Sequence, residues 1–299
     1  MNDIMEVAYY RFDVFSQEPN KGNPAGVVYC DEGVSTEKMQ QVAKVIGFSE
    51  TIFILPSEIA TFRLRFFSPG SEMPLCGHGT IAAVTLWCQS QSDKVLEELT
   101  VETIAGCLTI GVQIQSGTVQ VTMKQAAPQF QPFEGDVNAL VNNLGISVND
   151  LDERYPIMYG STGSWTLIVP VKGLAVMKKM QPNNQQFPEV LQNFPQASVH
   201  PICFESYHDD SLMHGRHFSG AGTGTIEDPV TGTASGVMGA YYYQFVTHNK
   251  SLPLKMNVEQ GQEMGKDGQL SVLLERLADT LTISIQGQAL LVSKELLKL

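Results

Sequence analysis

The hydrophobic and polar positions of this chain form short β-like runs arranged around two stretches that carry no charge. From Glu6 to Phe15 aromatic and aliphatic residues are frequent. After the turn Asn20-Lys21-Gly22-Asn23-Pro24 comes the run 25–29, and the two segments read as paired strands. Ser35 is placed to cap a helix whose Met39, Val42, Ala43 and Ile46 keep helical spacing, and Gly47 ends it. Strands follow at 61–67, 98–104, 108–114 and 118–123, with turns at Ala105-Gly106 and Ser116-Gly117. The stretch 126–136, with Pro128 and Pro132, reads as a boundary between domains. Beyond it come a helix at 137–144, strands at 157–159 and 165–170, a Gln- and Asn-rich connection at 181–186 and another short helix. Strands at 254–259, 270–275 and 280–285 close the pattern, with Asp267-Gly268 as a tight-turn signal.

The uncharged stretches run from Ile81 to Ser92 and from Gly232 to Thr247. A surface helix keeps a charged face, so both are expected to be enclosed by the rest of the fold. Gly236, Gly239 and Ala240 leave room for close walls. A helix starting at Gly232-Thr233 would set its unpaired N–H groups and positive dipole end behind Asp228 and Thr231, which suits an anionic substrate group.

Both stretches close one repeated pattern. Arg65-Phe66-Phe67-Ser68 is followed by Glu72, Cys76-Gly77-His78-Gly79-Thr80 and the first uncharged run; Arg216-His217-Phe218-Ser219 is followed by Glu227-Asp228 and the second. The arginines are 151 positions apart, about half of 299, and from each serine to the polar turn there are 8 positions to Cys76 and 9 to Asp228. This is the mark of an internal duplication. The expected fold class is therefore α+β: two similar domains, 1–126 and 127–299, each with antiparallel strands around one helix, the last strand being free to return to the first domain.

A hydrophobic share of 43% with 17% charged residues describes a globular chain with a large buried surface. A net charge of −12 argues against nucleic acid or an anionic membrane surface as partner, since both reward clustered Lys and Arg. The five cysteines, Cys30, Cys76, Cys88, Cys107 and Cys203, form no CxxC pair and are odd in number, so no metal site and no disulfide framework is expected. The first residues, with Asp3 and Glu6, lack the layout of a secretory signal, and no uncharged run has the length of a membrane span. A soluble, cytoplasmic protein is the expectation, with a homodimer as the commonest assembly.

Ser49-Glu50-Thr51 sets a carboxylate at the entrance of the apolar run 52–55. Glu50 is either a functional carboxylate or the last polar residue before a strand, with its side chain in water. Glu50, Cys76, His78, Asp228, Thr231 and Thr233 together supply candidates for a base, an acid and an anion site at a cleft between the domains. Cys76 beside a helix N-terminus is either a thiolate or an inert packing residue, and His78 either orients substrate or serves structure. Gly220-Ala221-Gly222-Thr223-Gly224-Thr225 lacks the spacing of a dinucleotide loop and the lysine of a phosphate loop, and reads as a turn feeding the active loop.

At these residues the chain resembles the phenazine-biosynthesis isomerase-like family, related to diaminopimelate epimerase and proline racemase. The resemblance is carried by Asp13-Val14-Phe15, Gly22-Asn23-Pro24-Ala25-Gly26-Val27-Val28, Ser49-Glu50-Thr51, Cys76-Gly77-His78-Gly79-Thr80, Gly215-Arg216-His217-Phe218-Ser219 and Glu227-Asp228-Pro229-Val230-Thr231-Gly232-Thr233-Ala234. It implies a diaminopimelate epimerase-like fold, each domain a β-barrel-like sheet wrapped around a central helix. It also implies a cofactor-free site for a small carboxylate-bearing substrate. Glu50 would transfer the proton with His78 and Asp228 beside it, while Ser49, Cys76, Gly77, Gly79, Thr231, Gly232 and Thr233 surround the substrate. Of the two opposed cysteines of diaminopimelate epimerase, Cys76 matches the first, and the second position is read as Asp228, which argues against two-thiol epimerisation. Gly220 departs from the proline that many members carry there. The rival readings are a non-catalytic binding protein that keeps the fold and an epimerase dependent on Cys76.

Overall fold

The structure, a computed structural model, describes residues 6–91 and 97–298; Ser92, the end of the first uncharged run, lies outside them. The packing of the backbone divides the chain into two units, Met1–Met123 with Gln286–Leu299, and Lys124–Ile285.

In the first unit the strands are β1 (Glu6–Val14), β2 (Asn23–Tyr29), β3 (Glu50–Leu55), β4 (Phe62–Phe67), β5 (Glu72–Met73), β6 (Glu98–Thr103), β7 (Gly106–Gln115) and β8 (Thr118–Lys124). Two helices join them, α1 (Thr36–Ile46) and α2 (Gly77–Ser90). Neighbours pair antiparallel except β2 with β3 and β4 with β6, which run parallel. On its other edge β1 pairs antiparallel with the strand Ala289–Lys298. The Ser35 side chain accepts from Lys38 N at the start of α1, and Gly47, in the left-handed region at φ 74°, closes it. Met39, Val42 and Ala43 of α1 pack on Phe53 and Phe67. Strands β1, β2, β3, β4 and Ala289–Lys298 surround α2, which is buried from His78 to Leu86. A helix enclosed on all sides has no surface to solvate a charge, which is why its sequence carries none.

The second unit repeats the plan. Its strands are β9 (Gln129–Pro132), β10 (Met158–Ser161), β11 (Trp165–Pro170), β12 (Ser198–Cys203), β13 (Ser211–Gly215), β14 (His217–Phe218), β15 (Glu227–Asp228), β16 (Leu254–Gln260), β17 (Gly268–Leu277) and β18 (Thr280–Gly287, its last two residues counted with the first unit). Its helices are α3 (Val137–Asn143), α4 (Leu174–Lys179), α5 (Phe187–Val190) and α6 (Gly232–Tyr241). The fold class is the expected one, α+β with a central buried helix in each half. Glycines set how close the walls of α6 come: a Cβ on Gly160 would lie 2.3 Å from Val237, and one on Gly239 would lie 2.5 Å from Val272. The helix ends earlier than the uncharged run, giving way to a π-helical turn at Tyr242–Val246. Several strands depart from the sequence reading, among them β5, β15 and Ala289–Lys298, which it does not place. β9 lies inside the stretch read as a connection, and β12 and β13 were not read at all. Among the described residues no helix is long and apolar enough to cross a membrane.

Candidate active site

The duplicated motif builds the same device twice. In the first unit β4 and β5 pair with Phe66 opposite Met73 and Phe67 opposite Glu72. Arg65 grips Glu72 with two hydrogen bonds, Nε to Oε1 at 2.6 Å and Nη2 to Oε2 at 2.7 Å, and its guanidinium lies 5.2 Å from the centre of the Phe67 ring. In the second unit β14 and β15 pair with His217 opposite Asp228 and Phe218 opposite Glu227. Arg216 grips Glu227 at 2.8 and 2.7 Å and lies 4.8 Å from the Phe218 ring centre. Such planar two-bond pairs fix geometry more strictly than single contacts.

This register corrects one reading of the sequence. Each glutamate stands five residues before the first helical residue, Glu72 before Gly77 and Glu227 before Gly232. Cys76 therefore corresponds to Thr231, and Asp228 corresponds to Met73. The loop joining the paired strands is longer in the second copy, so counting from the serines slipped the alignment.

In the first unit Glu50 opens β3 instead of preceding it, and its side chain is 15% exposed, so the reading that leaves it in water fails. Its Oε2 lies 2.9 Å from Nε2 of His78, in the first turn of α2. The approach is short but off the alignment of a hydrogen bond: the described residues give aligned partners to neither atom, nor to Ser49 Oγ, and all three are buried. Buried polar atoms left this way cost about 1–3 kcal/mol each and gather where a site awaits another molecule. Cys76 caps α2, its Sγ accepting from Gly79 N at 3.4 Å and lying 3.5 Å from His78 Nδ1. A Cβ on Gly79 would lie 2.7 Å from Ile52 Cγ1, so this turn reaches β3 only with glycine here; one on Gly77 would meet nothing within 4 Å.

Burial works against charge on all three groups, and their proximity decides the outcome. Burial alone would lower the His78 imidazole, but the negative charges Cys76 and Glu50 can carry hold it well above its ordinary value. Burial would raise Glu50, but His78 overcomes it and Glu50 ends lower than usual. The Cys76 thiol stays raised by burial in spite of His78. Near neutral pH Cys76 is a thiol and Glu50 is held as a carboxylate, so Glu50 supplies the charge that raises His78 there.

Glu50, Cys76 and His78 also form a group of metal-capable donors, one atom from each lying within 4.8 Å of the others. The His78 ring meets Cys76 with Nδ1 and Glu50 with Nε2, so it would have to turn before one ion could draw on all three.

In the second unit Asp228, Thr231, Gly232 and Thr233 form the other cluster. Thr231 leaves its helix uncapped by its side chain and donates its hydroxyl to Asp228 Oδ2. Gln260 spans the turn, donating to Asp228 O at 2.7 Å and accepting from Thr231 N at 3.2 Å. Thr233 O accepts from Thr162 Oγ1 at 3.0 Å. The ten candidate residues thus fall into two sets, Ser49, Glu50, Cys76, Gly77, His78 and Gly79 in one unit and these four in the other. Sequence reading missed Gln260, which has no motif around it. It also missed the work of the two Arg–Glu grips, whose members it had matched without pairing them.

Proteins similar to this duplicated helix-in-sheet chain are isomerases. Residues 12–295 match the family described as phenazine biosynthesis-like protein, and the chain belongs to that family. It is 45% identical over 296 residues to the uncharacterized isomerase YfhB of Bacillus subtilis, covering 99% of this chain and 100% of that one. It is 27% identical over 267 residues, 88% of each chain, to the trans-2,3-dihydro-3-hydroxyanthranilate isomerase of Pseudomonas aeruginosa. The crystal structure of a Bacillus anthracis phenazine biosynthesis protein of the PhzF family superposes with a TM-score of 0.94 at 47% identity, covering 98% of this chain and 99% of that one. The fold extends to a hydroxyproline epimerase from Agrobacterium vitis, with a TM-score of 0.63 at 13% identity over 98% and 93% of the two chains.

Proposed function

We propose that this isomerase moves a proton between carbons of a small carboxylate-bearing metabolite, using its own side chains as acid and base. The observation that carries the reading is the buried contact between Glu50 and His78 at 2.9 Å, with Glu50 Oε2 given no aligned hydrogen-bond partner by the protein. Glu50 takes the proton and returns it, and His78 holds the carboxylate ionised until substrate arrives. Asp228 belongs to the same machinery in this proposal, either orienting the substrate or sharing the proton. The unpaired N–H groups at the starts of α2 and α6 receive the substrate carboxylate. The thiol-dependent alternative is weakened by burial, which keeps Cys76 protonated, and by the threonine at the corresponding place in the second unit.

The test is uptake of deuterium from heavy water. Wild type and Glu50→Gln are incubated with trans-2,3-dihydro-3-hydroxyanthranilate, the compound in the Pseudomonas relative's name, and with a panel of small amino and unsaturated acids. Uptake that disappears with Glu50→Gln supports the assignment. Uptake that persists in the variant removes Glu50 from the role, and no uptake with any acid favours a binding protein that has kept the fold.

A further inference from the structure

A pair of imidazoles, His200 buried and His217 partly buried, stands in the Asp228 half, in residues the proposed chemistry does not use. His217 lies directly opposite Asp228 in the β14–β15 pair, and directly opposed residues of an antiparallel pair project from the same face. The duplicated position in the first unit holds Phe66 opposite Met73. Where one copy of the device carries an apolar pair, the other carries an imidazole beside a carboxylate.

His200, on β12, is fully buried, and its Nδ1 lies 3.3 Å from Nδ1 of His217. Two like nitrogens at this distance share one proton, so one ring donates and the other accepts. The far side of His200 decides which. Its Nε2 is buried with no partner among the described residues, and it faces Gly215 so closely that a Cβ there would lie 2.7 Å away. A buried N–H without an acceptor is rarer and more costly than a bare lone pair, so Nε2 is the unprotonated nitrogen. His200 then carries its proton on Nδ1 and donates it to His217. His217 accepts at Nδ1 and must carry its own proton at Nε2. Burial lowers both rings, His217 to about 4, so both are neutral at physiological pH.

We propose that His217 is a substrate-binding residue of the Asp228 half, presenting Nε2–H as a neutral donor to an acceptor oxygen of the substrate, with its tautomer set by the positioning residue His200. The proposal rests on the reading that Asp228 serves the active site. A neutral donor suits this place. Beside Asp228 an imidazolium would add a positive charge, whereas a fixed neutral N–H selects for an acceptor oxygen on the substrate.

The experiment has two arms on the full chain. Long-range proton–nitrogen correlation spectra of histidine-labelled protein report tautomers without any substrate. Nδ1–H on His200 and Nε2–H on His217 are expected, and the reverse assignment overturns the proposal. In the exchange assay with trans-2,3-dihydro-3-hydroxyanthranilate and the acid panel, H217F removes the donor, whereas H217Q places an amide N–H near Nε2. KM is expected to rise about tenfold to a hundredfold in H217F and to stay within about threefold in H217Q. H200F should raise KM with kcat retained and H200N, whose amide can replace the Nδ1 donor, should restore it. If H217F keeps the wild-type KM while Glu50→Gln is inactive, the inference fails and the proposed function stands. If exchange survives in Glu50→Gln or is absent from wild type, the functional reading fails and takes this inference with it.

Discussion

Removing either member of the Glu50–His78 pair should destabilise the protein with opposite dependence on pH. At 2.9 Å and an effective dielectric constant near 20 the attraction is about 6 kcal/mol, most of it offset by several kcal/mol of desolvation for each ion. The intact pair is therefore worth little, but a member left without its partner is not. In His78→Leu the Glu50 carboxylate keeps its burial and loses its cation, costing about 3–5 kcal/mol at neutral pH unless it takes up a proton. Its folded value then lies above the ordinary 4.5, so stability falls as pH rises from there. In Glu50→Gln the imidazole sheds its proton at a cost of about 1 kcal/mol, and burial leaves its folded value under the ordinary 6.5. Stability of that variant therefore falls as pH drops below 6.5. Wild type behaves differently from both. His78 contributes fully below 6.5 and loses its contribution as pH rises through its raised folded value, while Glu50 contributes above 4.5 and loses its share as pH falls through its lowered value. Urea unfolding of the three proteins from pH 4 to 9 measures these slopes. Slopes of the same sign in the two variants, or equal losses at pH 7, would refute a charged pair.

Cys76→Ser should leave deuterium exchange within about tenfold of wild type, because the thiol is protonated and its capping contact can be made by a hydroxyl; abolished exchange would revive the thiol-dependent reading. Arg216→Lys should cost about 2–4 kcal/mol in urea unfolding, since a lysine cannot keep both bonds to Glu227 and the 2.6 Å bond to Met177 O. The same change at Arg65, whose side chain is 15% exposed against 8%, should cost less, and the opposite order would contradict the burial argument. His214 is fully buried between Glu259 and Glu263, at 3.1 Å from each; burial would lower it, but the two carboxylates raise it. Its stabilising share is lost as pH rises through that raised value, so His214→Gln should flatten the decline in stability above about pH 6.5, and an unchanged alkaline limb would refute this.

What the sequence made legible followed from strong local rules. An uncharged run of helical length cannot lie on a surface, and Ser35 and Gly47 bracket a helix by capping chemistry, so α1, α2 and α6 could be placed. Glu50 and His78 stood out as polar residues beside buried elements, and the structure brings them into contact. What stayed hidden depends on pairing between distant strands. β12 contains His200, Pro201 and Cys203, a composition without alternation, because both its faces are buried. Pro132 argued against a strand at β9, yet proline is tolerated at a strand's end. The slip that set Cys76 against Asp228 came from spacing alone. Only the register, with Glu72 and Glu227 in the same grip, restores Thr231 to that place. His200 and His217 lie 17 positions apart and meet only through the β12–β14 pairing.

The discontinuity of the first unit bears on synthesis in the cell. Strand β1 is translated before the whole second unit, but among the described residues its outer edge is covered by Ala289–Lys298, which follows that unit. Until then the outer edge of this nine-residue strand, where every second residue presents its N–H and C=O, stands open to any strand that can pair with it. Lys124–Ile285 is contiguous and can mature first, so the order of completion reverses the order of translation. A nascent chain stalled before Ala289 would expose an adhesive edge, so Ala289–Lys298 shields the chain from misplaced pairing as well as completing its sheet.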